Sequence, residues 1–117
     1  KVCDTAHNPD GIKEVVRQIK AQAYDSLHMV IGMVKDKDIS AVLQLLPQSA
    51  NYYFCQSNIP RAMDAGLLAG EAAAYGLRGK VIRDVNEAIK EAEHNASKND
   101  LIFIGGSSFV VAEIDNL

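Results

Sequence analysis

Tryptophan is absent from the sequence, and cysteine occurs only twice, at Cys3 and Cys55. Neither cysteine belongs to a Cys-x-x-Cys pair, and no His/Cys/Asp cluster has the spacing of a metal site. Each lies in or at the end of an apolar run, which points to buried free thiols in a reducing compartment rather than to a disulfide. Long apolar runs are missing as well. The longest are about strand length, so no membrane span or secretory leader is expected, and the cytoplasm is the expected location. Charge of one sign is nowhere concentrated: 12 Lys and Arg are scattered among 15 Asp and Glu, for a formal net charge of −3, which argues against a nucleic-acid partner. Two nucleotide fingerprints are also lacking. No Gly-x-Gly-x-x-Gly follows the first strand, and no Gly-x-x-x-x-Gly-Lys-[Ser/Thr] occurs, so neither a dinucleotide site nor a P-loop is expected in this stretch of chain.

The 117 residues, 48% of them hydrophobic, suffice for one domain with a single core that needs no disulfide or structural metal. Apolar residues alternate between two periods along the chain. Residues 2–4 read as a short strand. Ile12, Val15, Val16 and Ile19 then take the i, i+3, i+4, i+7 spacing of a helix over about 9–23. Leu27–Ile31 is a compact strand ended by Gly32, and Ile39, Val42, Leu43 and Leu46 return to helical spacing before Pro47. A strand over 51–55 precedes a helix that Pro60 opens and Tyr75-Gly76 stops. A strand over 80–83, a helix carried by Val85, Ala88, Ile89 and Ala92, a strand over 101–104 and a closing helical segment from Ser107 complete the pattern. Five strands alternating with helices predict an α/β fold with a parallel sheet covered on both faces and right-handed crossovers. The chain begins at Lys1 without Met and directly on a strand, which leads us to expect that it is part of a longer protein.

Ligands of open parallel sheets bind at the carboxyl ends of the strands. Five turns lie there: residues 4–8, 32–38, 56–58, 84–86 and 105–108. In the first, Asp4 and His7 place a carboxylate and an imidazole in one turn. Asn8 before Pro9 is either a helix N-cap or a further polar group of a site. In the second, Lys35-Asp36-Lys37-Asp38 is either a solvated loop with Asp38 as a cap, or a mobile cationic loop over a carboxylate or phosphate. Gly105-Gly106-Ser107-Ser108 offers backbone N–H groups and hydroxyls suited to an anion, although two glycines also permit simple tight turning. Asp64, Glu71, Glu87, Glu91 and Glu93 read as solvated helix faces, and His28 and His94 as structural or surface residues.

Three of these segments resemble motifs of one family, in the same order and over essentially the whole chain. Asp4-Thr5-Ala6-His7-Asn8-Pro9 resembles the D-x-A-H-N-P motif that opens the C-terminal domain of folylpolyglutamate synthase/dihydrofolate synthase, in the Mur ligase superfamily. Gly32-Met33-Val34-Lys35-Asp36-Lys37-Asp38 resembles its G-M-x-x-D-K-D loop. The run from Gly106 to Glu113 resembles its G-S-x-Y-x-V-x-E segment, with Phe109 where Tyr is usual. The resemblance implies a three-layer, Rossmann-like α/β/α sandwich that is the C-terminal domain of a larger enzyme. The N-terminal ATPase domain, with its P-loop, would lie outside this chain, as would an antiparallel strand that the family carries just before the first motif.

The reaction so implied joins L-glutamate to the carboxylate of folate or dihydropteroate through an acyl phosphate, with ATP and Mg2+ held mainly by the ATPase domain. The resemblance further implies that Asp4 faces the nucleotide and that His7 helps hold the glutamate or the transferring phosphate. It implies that Ser107 contacts the glutamate carboxylate, and that Lys37, or alternatively Lys35, supplies positive charge. Asn8 would join the glutamate site unless capping accounts for it. No metal ligand is expected in this chain, and the 117 residues alone are expected to be inactive as a ligase. Two other readings remain open. One is a muramyl amino-acid ligase of peptidoglycan precursor synthesis, with the same architecture but usually other residues in the first motif. The other is a standalone α/β ligand-binding module, such as a receiver-like domain. That reading needs an acceptor Asp after the third strand and a Lys after the fifth, where this chain has Gln56-Ser57 and Gly105-Gly106.

Overall fold

The computed structural model describes residues 2–4, 9–35, 38–106, 108–112 and 114. Helix α1 (Pro9–Lys20) starts on a proline whose fixed φ suits the first helical position. Asp10 lies in its first turn and Arg17 and Lys20 in its last, each favourable to the helix dipole. The predicted stripe of Ile12, Val15, Val16 and Ile19 is buried. Strands β2 (Leu27–Ile31) and β5 (Leu101–Gly105) are buried at every position, which parallel strands with helices on both faces require. With β1 (Val2–Cys3), β3 (Asn51–Gln56) and β4 (Gly79–Asp84) they form one sheet in the order β1-β5-β2-β3-β4, every pair parallel. This is the expected α/β fold with five strands.

Three steps along the sheet run in one direction, β1 to β2 to β3 to β4, and one long step returns from β4 to β5, between β1 and β2. A constant crossover hand therefore puts the first three connecting helices on one face and the fourth on the other. The two buried clusters have this composition. α1, α2 (Ile39–Leu43) and α3 (Ala65–Ala73) pack with Met29, Ile31, Tyr52, Phe54 and Phe103. α4 (Val85–Asn95) and Val110 of α5 (Ser108–Ala112) pack with Val30, Tyr53, Cys55, Ile102 and Ile104. Cys55 is fully buried as expected, whereas Cys3 is only half-buried; neither forms a disulfide. No helix among the described residues is long and apolar enough to cross a membrane.

The main departure from the sequence expectation lies at residues 60–64. Pro60 does not open the helix. Val34 and Ala62 form an antiparallel bridge, with Lys35 N–H donating to Arg61 O at 2.8 Å and Met63 N–H to Met33 O at 2.9 Å. Met33, Val34, Ala62 and Met63 are all buried, so their backbone groups need partners, and the bridge supplies them for Met33 O and Met63 N–H. α3 begins only after Asp64, whose carboxylate caps it by accepting from Leu67 N–H at 3.1 Å. Asp64 is thus a cap rather than a solvated face residue. Helix α2 is shorter than its apolar spacing suggested and ends at Leu43, with Leu46 buried in the turns that follow.

The amino edge of the sheet is tied by a buried polar network. His28 Nε2 lies 2.8 Å from Asp100 Oδ2, and its Nδ1 lies 3.0 Å from the Tyr53 hydroxyl, which also accepts from Asn95 at 3.3 Å. This is the structural role expected for His28. His94 is exposed near the end of α4.

Candidate functional site

A crevice opens at the carboxyl edge of such a sheet wherever neighbouring strands send their following segments to opposite faces. β1, β2 and β3 lead to the face of α1, α2 and α3, whereas β5 and β4 lead to the face of α5 and α4. With the observed strand order, crevices open on both sides of β5 and again between β3 and β4.

The crevices beside β5 gather the three sequence segments singled out above. Half-buried Asp4 ends β1 and donates its N–H to Ile104 O at 3.1 Å, while Gly32, at the end of β2, donates to Gly105 O at 3.2 Å. Gly106 has a φ of +93°, and a Cβ there would stand 2.6 Å from Gly32 O. Here the chain needs both the left-handed conformation and the absence of a side chain, so tight turning accounts for this glycine. The loop after β2 is fixed at both ends. Lys35, exposed, is held by the bridge to Arg61, and Asp38 caps α2 by accepting from Ala41 N–H at 3.3 Å. The capping reading of Asp38 therefore holds.

Of the expected site residues, Asp4 and Lys35 fall within the described part of the chain; His7, Asn8, Lys37 and Ser107 lie outside the described residues. The structure brings together the strand ends on either side of them. Among the described residues no three His, Cys, Asp or Glu side chains converge as a metal site requires, and Asp4 is the one carboxylate that ends a strand beside these crevices.

The crevice between β3 and β4 holds a polar recess of about 320 Å³ lined by Gln56, Ser57, Asn58, Arg83 and Asp84. The register between the two strands shifts here: Phe54 pairs with Val81 but Gln56 with Asp84, so β4 carries an extra residue. That bulge re-aims Arg83 and Asp84 at the end of the strand. Arg83 Nε reaches Asp64 Oδ1 only at 3.5 Å, and the Leu67 N–H and the Arg83 guanidinium hold the Asp64 carboxyl below its ordinary range. Asp84 caps α4 by accepting from Glu87 N–H at 2.9 Å. The sequence reading placed residues 56–58 and 84–86 on this edge but did not single out Arg83, because nothing in the residue pattern announces a bulge.

A family model described as "Mur ligase, glutamate ligase domain" matches residues 1–108. The chain is 37% identical over 114 residues to a Halobacterium salinarum protein described as "Probable bifunctional folylpolyglutamate synthase/dihydropteroate synthase", covering 96% of this chain and 14% of that protein. It is 30% identical over 113 residues to a UDP-N-acetylmuramoyl-L-alanyl-D-glutamate–2,6-diaminopimelate ligase of Syntrophomonas wolfei, covering 90% of this chain and 22% of that enzyme. Among solved structures, E. coli FolC in complex with DHPP and ADP matches with a TM-score of 0.84 at 29% identity, over 93% of this chain and 26% of that one. The chain thus spans about a quarter or less of the length of each of these relatives.

Proposed function

The chain belongs to the glutamate ligase domain family of the Mur ligases, and from that premise we propose that it is the carboxyl-terminal domain of an ATP-dependent ligase that joins L-glutamate to folate or dihydropteroate. The observation that carries the reading is the convergence at β5. The ends of β1, β2 and β5, which bear the three motif segments, are hydrogen-bonded side by side at the switch point of the sheet. In the proposed reaction the acceptor carboxylate attacks the γ-phosphorus of ATP and ADP leaves. The glutamate amine then attacks the acyl carbon, inorganic phosphate departs, and the amine proton is lost to a base or to solvent. The P-loop and Mg2+ belong in this reading to a separate N-terminal ATPase domain, since this chain has no P-loop sequence.

Asp4, fixed at the end of β1, would face the nucleotide. His7 and Ser107 would hold the incoming glutamate and the transferring group, with Lys37 or Lys35 supplying positive charge. Asn8 can serve either as cap or as ligand. The cytoplasm, where folate and ATP are available, is the proposed location. Asp4→Ala, His7→Ala and Ser107→Ala in the full-length enzyme are expected to lower kcat/KM for glutamate at least about tenfold each, the size of one lost charge-assisted hydrogen bond. Near-normal kinetics in all three would remove the site. The 117 residues alone are expected to show no ATP-dependent glutamate incorporation.

A second reading, a muramyl amino-acid ligase, is favoured by the 30% identity to the diaminopimelate ligase. Turnover of folates against nucleotide-linked muramyl acceptors by the full-length enzyme separates the two.

A further inference from the structure

The recess between β3 and β4 lies along the same edge as the crevices at β5, but none of the expected site residues belongs to it. Sheet spacing puts it about 12 Å from the end of β5, within the reach of one extended substrate. Four features there go beyond what folding requires. The recess lies at a switch point of the sheet, where the following helices part to opposite faces. A bulge turns Arg83 and Asp84 together toward it. Ser57 is 3% exposed, lines the recess, and makes no hydrogen bond to a described residue. A buried hydroxyl without a partner is destabilising, so a ligand that accepts from it would recover that loss. Finally, among the described residues Gln56 engages its Oε1 alone, which accepts from Ala65 N–H at 2.9 Å, and this orientation leaves the amide NH2 group as a donor.

We propose that this recess is a carboxylate-binding subsite, in which the Arg83 guanidinium, the Ser57 hydroxyl and the Gln56 amide receive one carboxylate of an amino-acid-type substrate. Arg83 is available because its contact with Asp64, at 3.5 Å, is at the limit of a hydrogen bond, and a planar bidentate partner would do better. The Asp64 carboxylate stands beside the guanidinium, and Asp84 lines the same recess. They select a monoanionic carboxylate over a doubly charged phosphate, which would meet two negative neighbours for one positive. The carboxylate could come from the incoming amino acid or from the tail of the acceptor; the chemistry of recognition is the same. The proposal rests on the reading of the chain as part of an amino-acid ligase.

The test uses the full-length enzyme with Arg83→Gln, Arg83→Lys and Ser57→Ala. The Arg83 side chain is 61% exposed, so its replacement leaves the core intact, and thermal melting checks Ser57→Ala. Arg83→Gln should raise one KM about ten- to a hundredfold with kcat within about threefold and KM for ATP unchanged, with partial recovery in Arg83→Lys. A rise in KM for the amino acid assigns the carboxylate to that substrate, and a rise for the acceptor assigns it to the tail; either supports the subsite. Unchanged KM values in folded Arg83→Gln and Ser57→Ala overturn it. Calorimetric binding of glutarate, a dicarboxylate without an amine, needs no turnover. If the enzyme ligates no glutamate, the functional reading falls. Glutarate binding that is lost in Arg83→Gln still supports the recess, and binding that is absent or indifferent to Arg83→Gln overturns it.

Discussion

At the amino edge of the sheet one carboxylate holds two loops. Asp100 accepts from Ser97 N–H at 2.9 Å, from Ser26 N–H at 3.1 Å and from His28 Nε2 at 2.8 Å. With Nε2 donating to Asp100, a neutral His28 ring accepts the Tyr53 hydroxyl at Nδ1, so every buried member of the network has a partner. The Ser97 N–H and then His28 hold the Asp100 carboxyl below its ordinary value. Its folded pKa is thus lower than its unfolded one, of about 3.9. The stability it confers is fully present above that unfolded value and is lost as pH falls through the lower folded value. Asp100→Asn turns an amide NH2 toward one of three donors. It is expected to lower the melting temperature at pH 7 and to flatten the loss of stability as pH falls below about 4, as thermal melts across pH would measure. The residue pattern marked His28 as structural but could not reveal Asp100, which is distant in sequence and meets His28 only when β2 and β5 pair. Lys80 and Glu91, 2.7 Å apart, and Arg17 with Glu14, form exposed pairs of little consequence beside it.

Helix α3 shows what local sequence decides in an element and what it does not. Its stop was readable. Gly76 has a φ of +78°, with its N–H donating to Ala73 O and the Leu77 N–H to Ala72 O, the paired bonds of a Schellman ending. Its start was not readable, because the pairing of residues 33–35 with 61–63 outweighed the preference of Pro60 for a first helical turn. Two glycines of this segment should respond oppositely to alanine. Gly70 is an exposed interior position where a Cβ would meet nothing within 4 Å, so Gly70→Ala should stabilise by about 0.5–1 kcal/mol. Gly76→Ala must hold a left-handed conformation and should destabilise by about 1–2 kcal/mol. Urea unfolding of both variants checks the sign as well as the size.

For the whole molecule the decisive strand is β5, the last of the five in sequence, yet inserted between β1 and β2. Phe103, fully buried at its centre, pairs across to Val2 on one side and Met29 on the other. Phe103→Ala should cost about 3–5 kcal/mol, a large part of the roughly 5–15 kcal/mol that holds a domain together, and denaturant unfolding should show it as a lower midpoint. The amphipathic stripes, the buried strands and the three motif segments were all legible in the amino-acid order, because periodicity and turn chemistry act over a few residues. Sequence by itself therefore determined the α/β class, the number of strands and the family resemblance. Tertiary structure alone decided the strand order, the side-by-side alignment of Asp4, Gly32 and Gly105, the bulge that aims Arg83 and Asp84, and the burial of Ser57. Each of these depends on pairing between residues distant in the chain, and such pairing is fixed only when the sheet closes around its core.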